Sequence, residues 1–327
     1  MARRVVRTGR VSIVSAKLKR LHPWIATTAF ALAAFLVYRA LQPYSMGDIA
    51  ASLSEISLRH LAFGAAFTVA SFVCLTGSDT LAVRYTGSDL PYRKIALASF
   101  TSLSIGHTLG FAALSSGAVR YRFYTGWGLS AGDVGRIILF CGSTVMLGLL
   151  TLGGLASVIR PGLIADLFGL GPRVVSAIGV LLLLLVGIYL ALAAFVHRPI
   201  RIRDFELPVP RLRLALGQIV VGTSDFLLVA AVLHQMLSAS TTISYFLIAA
   251  VYAMANVTAI ITHVPGGLGV IEAIVLSLVP GANVVGALIA FRALYYLTPF
   301  IIGGMVLAIV EVVRRHRRPA AEPGPSD

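Results

Sequence analysis

Charge is what this sequence has least of. Asp, Glu, Lys and Arg make up 12% of its 327 residues, against about 25% in an ordinary soluble domain. Acids are the scarcer sign, 13 against 27 Lys and Arg. There are two cysteines, Cys74 and Cys141. Both sit in apolar runs with no partner spacing, so neither a disulfide framework nor a metal site is implied. No His/Cys set has zinc spacing. The stretch "GFAALSSG" (110–117) has no strand around it, as a nucleophile elbow requires. "PGGLG" (265–269) lacks the preceding strand and the Lys-Ser/Thr of a phosphate loop. These shortages exclude a large soluble domain. They lead us to expect no enzyme activity and no cofactor.

What fills the chain is apolar: 57% hydrophobic residues and a mean hydropathy of +0.89. Several runs reach the roughly 20 residues that span a bilayer, most clearly 174–196, "VVSAIGVLLLLLVGIYLALAAFV". The expectation is an all-α integral membrane protein. The net charge of +14 would ordinarily raise nucleic acid as a partner. Here the basic residues cluster between apolar runs, which the positive-inside rule explains without a ligand. No nucleic-acid partner is expected, and attraction to anionic inner-leaflet lipid is a by-product.

Residues 1–22 hold seven Lys/Arg and no acid. The apolar stretch 24–38 follows, with no small-x-small cleavage site before Tyr44. We read an uncleaved first span after a basic cytoplasmic N-terminus. Six full spans are expected: 23–41, 60–83, 131–158, 174–196, 214–237 and 284–311. Two further apolar segments, 95–119 and 243–281, are broken. The organisation is then a basic segment 1–22, a membrane domain 23–313 and a short cytoplasmic tail 314–327.

Basic clusters set the orientation. Arg84, Arg93 and Lys94 follow the second span, Arg198 to Arg213 follow 174–196, and Arg314 to Arg318 follow the last. With all of these cytoplasmic, span 60–83 ends inside and 131–158 begins inside. Segment 95–119 must therefore leave and return on the inner side. By the same parity 243–281 enters and returns on the outer side. Span, re-entrant segment, span thus occurs twice with opposite orientation, an inverted-repeat arrangement used by transporters. "GSDTLAV" (77–83) and "TSDFLLV" (223–229) lie 146 residues apart and align Asp79 with Asp225 as candidate repeat positions.

Ionisable residues inside a span cost a few kcal/mol and usually face a cavity or a partner. Asp79, Asp225, Glu272 and Arg292 are such residues. In "ITHVPGGLGVIEA" (261–273), Pro265 stops the preceding helix. Gly266, Gly267 and Gly269 permit a tight backbone and close approach. A new helix beginning near Leu268 has unpaired N–H groups at its positive end, suited to a phosphate. Glu272 is in its first turn, with Arg292 available as a partner. Arg120, after the break in 95–119, is a second candidate phosphate contact. His107 and Gly110 mark that break, and His263 and Pro265 the other. The plainer alternatives are structural. Glu272 and Arg292 form an ion pair between helices. Asp225 is satisfied by Thr223 or Ser224 and by neighbouring helices, and Asp79 reaches toward Arg84 and the inner interface. The histidines cap broken ends, and Tyr295 and Tyr296 pack. Asp133 and Arg136 read as an interfacial helix start.

Two stretches carry a family likeness: "LSSGAVRYRFYTGWGLSAGDVGRIILFCGSTVMLGLL" (114–150), and "HVPGGLGVIEAIV" with "FRALYYLTPF" after it. They resemble the membrane region of bacterial lysylphosphatidylglycerol synthase/flippases, the multiple peptide resistance factors, over roughly 20–315. The resemblance implies movement of aminoacylated phosphatidylglycerol from the inner to the outer leaflet, which masks negative surface charge against cationic antimicrobial peptides. It implies roles for Asp79, Arg120, Glu272 and Arg292, and for Asp225. The full-length family continues into a cytosolic synthase domain. Here "RRHRRPAAEPGPSD" closes the sequence, so the expectation is a stand-alone membrane region whose lipid comes from a separate synthase, or whose lipid is different. The function expected is a flippase for a phospholipid or lipid-linked intermediate in the inner membrane. The substrate path would be Asp79, Arg120, Asp225, Gly266, Gly267, Gly269, Glu272 and Arg292. The half-helix start at 268–272 and Arg120 would receive the phosphate, and the carboxylates would attract a cationic headgroup. The alternatives are a non-transporting partner of a lipid synthase and an intramembrane lipid transferase.

Overall fold

The computed structural model describes residues 56–109, 112–196, 200–202, 205–239, 242–262, 267, 269–278 and 284–316. Helices dominate them: α1 Leu58–Tyr85, α2 Tyr92–Leu109, α3 Ala112–Gly126, α4 Ala131–Ile159, α5 Pro161–Phe168 and α6 Pro172–Phe195. After a hairpin come α7 Leu212–Leu237, α8 Tyr245–Thr262, α9 Val270–Leu278 and α10 Val284–Phe291. A π-helical segment, Arg292–Leu297, then joins α10 to α11, Thr298–His316. The hairpin pairs β1 Ile200–Ile202 with β2 Phe205–Leu207. It is a small addition to the all-α expectation and lies outside the spans.

Among the described residues, five helices are long and apolar enough to cross a membrane: 58–85, 131–159, 172–195, 212–237 and 284–314. They coincide with five of the six expected spans. The sixth, 23–41, lies outside the described residues, as do the segments 1–22 and 317–327. The most apolar span, α6, is also thinly covered by the rest of the protein. Val180, Leu181, Leu184, Leu185, Ile188 and Leu192 are all exposed along it. In water such a surface drives aggregation; in a bilayer it faces lipid. The protein is an integral membrane protein.

Local signals explain the helix starts. Ser130 accepts the Asp133 N–H at 3.1 Å, and Asp133 takes a bond from Arg136 at 3.2 Å, so the expected helix start is there. Pro161 and Pro172 open α5 and α6 at positions where a missing N–H costs nothing.

Helix directions follow from who touches whom. His60 bonds Gln235, Ser71 bonds Asp225 and Cys74 bonds the Val221 carbonyl. Rising numbers on α1 meet falling numbers on α7, so the two are antiparallel. Gln218 reaches Phe140, Ser143 and Thr144, while Gly222 meets Thr144 and Gly148; α4 and α7 run parallel. At that crossing a Cβ on Gly222 would stand 2.3 Å from the Thr144 oxygen. Only glycine allows the two backbones so close.

Both broken segments are helix pairs. In the first, the Lys94 ammonium at the start of α2 lies 5.7 Å from the Trp127 ring just past α3. The segment therefore returns to the end from which it left, the expected re-entrant shape. The end of α11 sits there too: Glu311 pairs with Arg122, and the Arg314 guanidinium lies 5.6 Å from the Phe123 ring. Tyr85, closing α1, donates to the Pro208 carbonyl at 2.5 Å before α7 begins. Arg84, Lys94, Arg122, Arg211 and Arg314 thus share one end of the molecule. In the second half, the ring pairs Phe226–Tyr252 and His234–Tyr245 set α8 antiparallel to α7.

The halves repeat, with a different register from the expected one. Helices start at Leu58 and Tyr92 in the first half and at Leu212 and Tyr245 in the second, displaced by 154 and 153 residues. The "SD-L-V" match at 146 is out of step with these by about two helical turns. Asp79 and Asp225 are therefore not counterparts. Asp225 corresponds instead to Ser71, which it touches.

Candidate functional site

Three polar clusters lie among the spans. The first is an ion pair between α1 and α3. Arg120 Nε and Nη2 donate to Asp79 Oδ1 and Oδ2, both at 2.8 Å. Arg120 Nη1 donates to Ser116 at 3.0 Å. Ser99 and Tyr124 complete the carboxylate's shell at 2.8 and 2.9 Å. Asp79 is 0% exposed and Arg120 3%. Such burial is tolerable only because the charges are paired in bidentate geometry and every lone pair has a donor. Asp79 faces Arg120 and not Arg84, so the snorkelling alternative is replaced. Arg122, about half a turn further on, pairs with Glu311.

The second cluster is built at the second break. Arg292 Nε donates to Glu272 Oε1 at 2.6 Å and Nη2 to Oε2 at 3.0 Å. Nη2 also reaches the Gly267 carbonyl at 3.0 Å. The Arg292 guanidinium lies 4.5 Å from the Tyr296 ring centre. Gly267 and Gly269 have φ of 60° and 78°, the left-handed conformation that glycine adopts without strain. The Gly269 N–H donates to Glu272 Oε2 at 2.8 Å. The positive end of α9 therefore holds its own side-chain carboxylate, the place where a headgroup phosphate was expected. His263, Pro265 and Gly266 lie outside the described residues, as does Gly110 in the first break.

The third cluster sits where α1 crosses α7. Ser71 Oγ donates to Asp225 Oδ1 at 2.5 Å, and Tyr295 meets Ser71 Oγ at 3.1 Å. His107, near the end of α2, stacks on Tyr295 with ring centres 6.2 Å apart and also faces Phe72. Asp225 is thus satisfied from a neighbouring helix, as expected, but not by Thr223 or Ser224; the Thr223 hydroxyl is buried without a partner among the described residues.

Sequence reasoning missed Ser71, Ser99, Ser116 and Tyr124, which are ordinary residues in helices. Tyr295, expected only to pack, also hydrogen-bonds. Gln218 was missed as well. It is fully buried, bonds Tyr189 and ties α7 to α4; an amide in the middle of an apolar run was a visible signal. No group of three or more His, Cys, Asp or Glu able to hold a metal occurs among the described residues.

No protein-family model matches the sequence. The chain is similar to an inner membrane protein, YbhN, of Escherichia coli, at 28% identity over 249 residues, 74% of this chain and 77% of that one. It is also similar to the uncharacterized protein slr0712 of a Synechocystis strain, at 33% identity over 307 residues, 92% of this chain and 95% of that protein. At that identity and coverage, the chain belongs to the family of slr0712.

Proposed function

We propose that this protein moves a phospholipid or lipid-linked intermediate between the leaflets of a bacterial inner membrane, as a transporter and not an enzyme. One observation carries the reading. Each half holds a helix pair broken inside the membrane domain, and each pair supplies one partner of a bidentate arginine–carboxylate contact, Arg120 from α3 and Glu272 from α9. Broken backbone is tolerated at membrane depth only where protein buries it or a polar path reaches it. Repeated halves around such breaks suit rocking about a central site. The similarity to an inner membrane protein and the resemblance to lysylphosphatidylglycerol flippases support the location and the cargo class.

The chemistry follows from the pairs. Opening Glu272–Arg292 presents one anion and one cation side by side. A headgroup with both a phosphate and an ammonium can replace both partners at once: phosphate on Arg292 and the α9 amides, ammonium on Glu272. No lone charge is then left in the site. Aminoacyl-phosphatidylglycerol is one such lipid, supplied by a separate synthase. Both termini are cytoplasmic in this reading, because the basic end of the molecule faces inward.

The test is movement of a labelled headgroup across liposomes. Full-length protein and Glu272→Gln are reconstituted, and outer-leaflet accessibility is followed for zwitterionic, aminoacyl and anionic lipids. Protein-dependent movement that is lost in a folded Glu272→Gln variant is expected. Absence of movement for every headgroup would overturn the reading and leave a non-transporting partner of a lipid synthase.

A further inference from the structure

The carboxylates inside the membrane domain are not alike. Asp79 has Arg120, Glu272 has Arg292 and Glu311 has Arg122. Asp225 has no cation among the described residues. It is 9% exposed, and its neighbours are neutral. The titratable groups facing it are Cys74 from α1, Tyr252 from α8, and Tyr295 and Tyr296 from the π-helical segment. His107 from α2 stands one ring further out, behind Tyr295. From α4, the residues in the apolar cluster around Phe226 are Leu149 and Leu152, which carry no titratable group. An ionised carboxylate without a counter-charge is costly in such surroundings. A metal or alkali ion would need several oxygens, and the one side-chain oxygen bonded to Asp225 is Ser71 Oγ. A proton needs only one.

The hydrogen bonds have a direction. Ser71 has a single proton and spends it on Asp225. Tyr295 must therefore be the donor in its bond to Ser71. Adding a proton to Asp225 reverses the row: Asp225 donates to Ser71, Ser71 donates to Tyr295, and the Tyr295 O–H keeps its proton and turns to another acceptor. Tyr295 belongs to the π-helical segment 292–297, which begins with Arg292. Such i→i+5 turns are rare and recur at functional sites. Here one turn carries the residue that senses Asp225 and the residue that holds Glu272.

We propose that Asp225 is a proton-binding site, and that its protonation is passed through Ser71 and Tyr295 to the π-helical turn that holds the Arg292–Glu272 pair. This deepens the transport reading by naming the proton as its coupling ion, and the site can be tested without any lipid movement. Infrared difference spectra of reconstituted full-length protein, acid minus alkaline, report the protonated carboxyl C=O stretch. Hydrogen exchange of 270–278, corrected for intrinsic rate, reports the Glu272 helix. Wild type should show the carboxyl band and a pH-dependent exchange rate. Asp225→Asn should lose the band and hold the acid-form exchange rate at both pH values. Asp225→Glu should keep a shifted band, which guards against a folding artefact. Ser71→Ala and Tyr295→Phe should keep the band and lose the pH dependence of exchange. A band that survives in Asp225→Asn, or one titrated by sodium at constant pH, would overturn the site. Unchanged pH dependence in Tyr295→Phe would overturn the relay. If these expected results appear and no lipid moves, the proton site stands and the flippase reading fails.

Discussion

At the scale of single residues, the buried Asp79–Arg120 pair is the sharpest stability determinant. Removing one partner leaves an uncompensated charge in the membrane domain, at a cost of about 3–5 kcal/mol. Arg120→Ala and Asp79→Asn should therefore unfold markedly earlier in detergent thermal melts. The double variant Asp79→Leu/Arg120→Met should recover most of that loss, because a packed apolar pair has no desolvation penalty. If the double variant melts as early as the singles, the pair is not the source of the cost. Transport separates structure from function: a double variant that is stable but inactive makes the pair part of the path. The identity of the charged residues was legible in the sequence, since Asp, Glu and Arg stand out in an apolar run. Their partners were only half legible. Glu272 with Arg292 could be foreseen from a helix break followed by one arginine. Ser71 with Asp225, 154 residues apart, could not, because a serine in a helix carries no signal of what crosses it.

At the scale of elements, the Gly148–Gly222 crossing of α4 and α7 should govern assembly of the bundle. A methyl on Gly222 would meet backbone on the other helix, which cannot move as a side-chain tip can. Gly222→Ala should cost about 1–3 kcal/mol or more through overpacking. Gly142→Ala and Gly187→Ala meet nothing within 4 Å and should be neutral or stabilise slightly, by up to about 1 kcal/mol of helix propensity. Melting temperatures of the three variants in one detergent decide it; equal shifts would dismiss the close crossing. The spans themselves were readable because hydropathy and basic flanks are long-range averages. The repeat register was not. A match of four residues in six, Ser, Asp, Leu and Val, arises by composition, whereas the displacement of about 153 is set by helix starts, which are fixed by loops and caps spread over each half.

At the scale of the whole molecule, the claim most open to a direct check is that 92–126 enters and leaves on one side. The contact between Lys94 and Trp127 requires it, and so does the shared position of the ends of α1, α3 and α11. A full crossing would invert every element after it, so the two topologies differ at every later loop. Single cysteines placed in a background with Cys74 and Cys141 replaced can read this out with an impermeant thiol reagent. Asp89→Cys before the segment, Ala131→Cys after it and Arg211→Cys before α7 should react from the same face. Gly171→Cys between α5 and α6 and Thr242→Cys before α8 should react only from the other. All five positions are exposed, so silence at one is not explained by burial. Labelling of Asp89→Cys and Ala131→Cys from opposite faces would break the inverted arrangement and, with it, the placement of Arg120 and Glu272 on oppositely oriented broken helix pairs. Labelling from one face, with Gly171→Cys and Thr242→Cys opposite, fixes the two halves upside down to one another. The Ser71–Asp225 contact then lies on the axis that relates them, where a movement of either half changes both.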